Sequence, residues 1–99
     1  MIDPVSPTEG LGVLHLFCRL GERFDRDGVK AAVADAENRG DQVITVAFLG
    51  HIADLGVMAL SEDLWRLRDL QSALVVAGLE VVGSYVSLTE VSELSLIHI

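Results

Sequence analysis

The sequence predicts an α+β fold: a four-stranded antiparallel sheet carrying two helices on one face. Three observations point there. Two stretches carry an apolar stripe at helical spacing: Val29, Ala32, Val33 and Ala36, then Leu67, Leu70, Leu74 and Ala77. Four other runs are apolar or β-branched and too short for buried helices. Their order along the chain is β-α-β-β-α-β, the split βαβ arrangement called ferredoxin-like.

Each element has its own signal. "MIDPVSPTEG", residues 1–10, holds both prolines and reads as a flexible N-terminal arm. "LGVLHLFCRLG" is a strand closed by Gly21. Asp25 and Asp27 are possible N-caps for a first helix near residues 26–39, and Gly40 supplies its stop. "DQVITVAFLG" is continuous and β-branched, which predicts a buried strand. Gly50-His51-Ile52-Ala53-Asp54 makes a short connection to the strand "LGVMAL". Ser61 is expected to cap a second helix near 62–77, with Glu62 and Asp63 in its first turn and Gly78 ending it. "LEVVGSYVSLTEV" is the last strand.

The strands are apolar on both sides. Strand side chains alternate between faces, so Leu14, Leu16, Cys18 and Leu20 oppose Val13, His15 and Phe17. Ile44, Val46 and Phe48 likewise oppose Val43, Ala47 and Leu49. Two helices cover one face only, and a half-solvated sheet would show polar residues on the other. Burying ~500 Å² more apolar surface would contribute on the order of 12 kcal/mol before entropy. The open face is therefore expected to meet a second sheet, making this domain half of a dimeric α+β barrel. The second sheet would come from another chain or from the other half of a longer one.

Composition narrows the partners. The 99 residues make one domain with a modest core. A net charge of −8 argues against nucleic acid and anionic membranes. Mean hydropathy is high at +0.45, yet there is no apolar run long enough to span a membrane and no secretory signal at the start. A single cysteine, Cys18, favours a reducing compartment, so a cytoplasmic location is expected.

Chemistry-bearing residues are few. His15 and Cys18 lie three apart on a strand, hence on opposite faces, and cannot share an ion. His15 reads as a core or interface histidine and Cys18 as an inert buried thiol. His51, beside Asp54, is a solvated turn residue or a pocket-rim contact. Trp65, Arg66 and Arg68 could line an interface; the plainer reading is a tryptophan folded over the helix start with flanking charges. Tyr85 reads as core or interface filler rather than a redox tyrosine. The histidines are not expected to converge. No phosphate loop and no inward-facing carboxylate pair can be built, so no catalytic, cofactor-binding or metal-binding residue is assigned.

The stretches "ADLGVMAL", "DLWRLRDLQSAL" and "GLEVVGSYVSLTEVSE", between His51 and Glu93, together resemble the chlorite dismutase-like haem protein family. The likeness is greatest to its coproheme decarboxylase (peroxide-dependent haem synthase) branch. It extends more loosely over Leu11 to Leu49, so it covers about residues 11–93, the expected ferredoxin-like half-domain. The resemblance implies a subunit of two ferredoxin-like halves whose sheets pack together. It also implies that haem or Fe-coproporphyrin sits in the C-terminal half with its histidine and a "YPM"-like tyrosine. Neither motif occurs here, and Tyr85 does not match that tyrosine's context, so no residue role is carried over. The partners implied are the missing C-terminal half and further subunits.

"LSLIHI", residues 94–99, breaks the pattern without a turn or cap. Read back as CTG TCT CTT ATA CAC ATC, it matches a transposase-adapter end used in sequencing libraries. It is expected to be an adapter artefact on a truncated reading frame, against the competing reading of a short native strand. The expected function is then an N-terminal fragment of a haem-binding oxidoreductase, inactive alone and holding no haem tightly. The intact parent would use peroxide to decarboxylate Fe-coproporphyrin oxidatively. The alternatives are a self-associating, non-catalytic ferredoxin-like module or a small dimeric-barrel monooxygenase. The latter needs polar groups inside its barrel, and the strands offer little beyond His15 and Thr45.

Overall fold

The computed structural model describes residues 10–89; most of the expected arm and the whole of the expected artefact lie outside them. The chain runs β1 (Gly12–Leu20), α1 (Arg26–Asn38), β2 (Gln42–Ala47), β3 (Leu55–Ser61), α2 (Leu64–Val76) and β4 (Leu79–Leu88). The strands form one sheet in the order β2-β3-β1-β4 with every neighbouring pair antiparallel. This is the ferredoxin-like α+β fold that the element order predicts.

The helices form because their apolar stripes have somewhere to go. Leu67, Leu70 and Leu74 of α2, with Ala32 and Ala36 of α1, are buried against Leu14, Leu16 and Cys18 of β1 and Val57 and Ala59 of β3. Each large side chain so buried contributes roughly 1.5–3 kcal/mol. Small residues on α1 let that helix lie close to the sheet. The start of α2 differs from expectation. Asp63, not Ser61, is the N-cap, and its Oδ1 accepts the Trp65 N–H at 3.0 Å. Ser61 is the last residue of β3, and its Oγ accepts the Asp63 N–H at 3.0 Å instead. Because β3 runs to Ser61, the capping role passes to Asp63, two residues beyond, directly before the helix. At α1, Asp25 occupies the N-cap position without a side-chain cap bond, and Asp27 lies in the first turn. Gly78 ends α2 with φ +94° where the Arg23 backbone passes close by, so a side chain there meets both strain and a clash.

Two features of the sheet were not expected. The β1–β4 register shifts between Phe17 and Cys18, leaving Val82 as the extra residue beside Gly83. And β2, expected to be buried, is an edge strand that is mostly exposed. Its continuous apolar run fits a strand buried on both faces, but here neither the edge nor the open face of β2 is fully covered.

Candidate functional site

The face of the sheet turned away from the helices collects the residues of interest. Cross-strand pairing puts His15 opposite Met58 on one side and Tyr85 on the other. Ile44 lies beyond Met58, and Phe17 and Val46 flank Gly56. A Cβ on Gly56 would sit 2.7 Å from Phe48 Cζ, so the missing side chain lets the Phe48 ring lie flat over the strand. Five rings share this face. His15 stacks on Tyr85 at 4.1 Å between centroids, and Phe17 lies 6.3 Å from Tyr85 and 6.0 Å from Phe48. His51 completes the row, 4.7 Å from Phe48 and 5.9 Å from Phe17.

The β2–β3 connection brings His51 there. The Asp54 N–H donates to the Cys18 carbonyl at 2.8 Å, Asp54 Oδ2 accepts the Leu20 N–H at 3.1 Å, and Arg19 Nε donates to the Ile52 carbonyl at 3.0 Å. These bonds fold the loop back over the end of β1. Within it, His51 Nδ1 accepts the Ala53 N–H at 2.9 Å. The two histidines therefore lie along one ring row, linked through Tyr85 and Phe17, and they join no metal-binding group among the described residues. Neither register nor loop folding is visible in local sequence, and the recurring aromatic positions were the only available hint.

The face is apolar and largely bare. Tyr85 is 54% exposed and Val46 49%, while Leu49 and Ile52 on the adjoining loop reach 101% and 71%. Val13, at its other end, is buried. A shallow groove of about 160 Å³ runs between His15, Phe17, Ile44, Phe48 and Met58. The polar groups on the face are modest: His15 Nε2 lies 3.0 Å from Ser87 Oγ. Thr45 is not among them. It pairs with Val57 and so faces the helices, which removes one of the two polar groups counted for a barrel interior.

The remaining candidates are structural. Cys18 is fully buried, and burial raises its thiol pKa. Arg66 is an internal tie rather than an outward contact: its Nη2 lies 3.1 Å from Asp41 Oδ1, an ion pair without hydrogen-bond alignment, and its Nε donates to Ser61 Oγ at 3.2 Å. The Arg68 guanidinium sits 5.5 Å over the half-buried Trp65 ring. A wider cleft, about 820 Å³, opens between Glu22, Arg23, Val75 and Glu80.

No protein-family model matches the chain, and a search of curated proteins finds no match. No cluster of three or more metal-binding side chains occurs among the described residues, nor does a helix long and apolar enough to cross a membrane. The groove between His15 and Phe48 is about 160 Å³, against ~300–1,000 Å³ for usual ligand clefts. The ring nitrogens His15 Nε2 and His51 Nδ1 already have partners.

Proposed function

We propose that this chain is the N-terminal half-domain of a chlorite dismutase-like haem oxidoreductase, and that its work is to pack its open sheet face against a second ferredoxin-like sheet. The bare aromatic face is the observation that carries the packing role: Phe17, Phe48 and Tyr85 stand in one ring cluster with Ile44 and Val46 exposed beside them. An apolar patch of this kind marks an interaction surface. The resemblance over residues 11–93 names the parent. In the intact protein the C-terminal half would bring haem or Fe-coproporphyrin, the iron ligand and the oxidisable tyrosine. Bound there, the iron group would supply peroxide-driven decarboxylation, while this half supplies a rigid wall and oligomer contacts. The expected cytoplasmic location belongs to the same proposal.

The test is the parent gene beyond codon 93. A continuous frame containing a tyrosine motif and a later histidine supports the proposal; a natural stop codon near Leu94 overturns it. A second measurement concerns the chain alone. Titration with iron-coproporphyrin followed by peroxide is expected to yield no stoichiometric histidine-ligated spectrum and no vinyl product. A spectrum that vanishes in His15→Ala or His51→Ala, with product formed, would place a haem site in this half.

A further inference from the structure

We propose that the outer edge of β2 pairs with the β2 edge of a second copy of this chain, joining the two sheets into one continuous sheet. This goes beyond the docking role of the open face and uses a different surface. β2 is the first strand of the sheet, and no strand pairs with its outer side among the described residues. The backbone shows which groups face outward there. The Phe48 N–H donates to the Asp54 carbonyl at 2.9 Å, in line with the register that sets Ala47 against Leu55 and Gln42 against Leu60. Antiparallel bonding alternates along a strand. Gln42, Ile44 and Val46 therefore bond to β3, and the N–H and C=O groups of Val43, Thr45 and Ala47 point away from the sheet. Thr45 and Ala47 are exposed although they lie on the helix side, so the helix layer stops short of this edge.

The edge fits a copy of itself. A two-fold axis through Thr45 sets Thr45 against Thr45 and Val43 against Ala47 of the second copy, so every outward N–H and C=O of β2 finds a partner. An axis through Ile44 would instead set Ala47 against Asp41, whose N–H is already given to the Ala36 carbonyl at 3.1 Å. In the favoured register Ile44 meets Val46 on the open face, and threonine meets threonine on the helix side. The chain carries −8 overall, yet "QVITVA" holds no charge, so two copies meet there without opposing like charges. Exposed edges are usually guarded by lysine, proline or a bulge. β4, the other edge, carries Glu80 and the bulge at Val82; β2 has none of these. A second half seated on the open face does not compete for this edge. Stacked sheets lie ~10 Å apart, whereas a paired strand lies ~4.8 Å away within the plane of the sheet. The edge is only six residues long, so the contact is smaller than a standard interface and the dimer is weak.

Cysteine cross-linking of the 99-residue chain tests the pairing. Opposed residues of a hydrogen-bonded pair have Cα atoms ~5.5 Å apart, within the ~4.4–6.8 Å that a disulfide spans. Thr45→Cys should therefore form a disulfide-linked dimer under mild oxidation, at least ~10-fold faster than Val76→Cys. Val76 is exposed on α2 and measures random encounter, while the native Cys18 is buried and should stay unlinked. Tyr85→Cys, on the open face, reports face-to-face contact separately. Thr45→Pro removes an outward donor but no bond to β3. It should lower the association constant in sedimentation at least ~10-fold while the circular dichroism spectrum stays unchanged. Should that variant not fold, Thr45→Lys sets like charges across the axis and should give the same loss. Linkage of Thr45→Cys no faster than that of Val76→Cys overturns the edge pairing, as does association that survives the change at Thr45. Fast linkage through Tyr85→Cys alone also overturns it and leaves the open face as the docking surface.

Discussion

Arg66 and Asp41 join the α1–β2 turn to the first turn of α2. The Asp41 side chain is 2% exposed and that of Arg66 29%, so removing the arginine leaves a buried carboxylate without its counter-charge. Arg66→Ala should cost about 2–4 kcal/mol in urea unfolding. Adding Asp41→Asn should recover part of that loss; a double variant as weak as the single would show that the arginine acts through packing alone. Cys18 makes a pH prediction. Burial raises its thiol pKa in the folded chain, so above pH ~8.5 the unfolded chain ionises first. The native state then binds more protons, and stability falls as pH climbs towards the folded value. This adds up to ~1.4 kcal/mol per pH unit to the slope. Cys18→Ala should lower the baseline and remove that component; an unchanged alkaline slope would contradict it. Both residues were visible as types in the sequence. Their roles were not, because Arg66 meets Asp41 only after two helices have packed.

At the level of elements, periodicity was the dependable signal. The stripes of α1 and α2 match their buried sides, and Gly40 and Gly78 stop both helices with φ near +95°. Leu74 is fully buried while Val76, two residues on, is 88% exposed. Leu74→Ala should therefore cost ~3 kcal/mol and Val76→Ala less than ~0.5 kcal/mol, as read by thermal or urea unfolding; equal costs would mean that α2 is rotated from its observed seat. The cap of α2 was misplaced by two residues because Ser61 and Asp63 are both competent caps, and only the end of the β3 ladder chooses between them. The bulge at Val82 had a trace in Gly83, since glycine within a strand often marks one. The edge position of β2 had none.

For the molecule as a whole, the open face decides behaviour. Ile44 is 37% exposed there and takes no part in the core beneath the helices. Ile44→Lys should leave the unfolding free energy of dilute protein within ~1 kcal/mol of wild type and should abolish self-association in sedimentation at pH ~8. Lysine there charges both the open face and the edge strand β2, so a variant that still associates would place the contact on neither. The same face explains why a chain with half its residues apolar shows so little chemistry. Its rings stack on one another, and its polar atoms serve the turn at His51 and the Ser87 contact.

The sequence by itself determined the element order, the fold class, which strand residues share a face, and the fact that both faces are apolar. These depend on periods of 3.6 and 2.0, which are local properties of the backbone. Only the tertiary structure decided which face the helices cover. It also decided that β2 lies at an edge and that His15 and His51 share a ring cluster. Those outcomes depend on strand pairing and on a loop folded back by Asp54 onto Cys18, contacts between residues more than thirty positions apart. No local pattern encodes a pairing at that distance. The free energy that selects it comes from the whole sheet closing over one core.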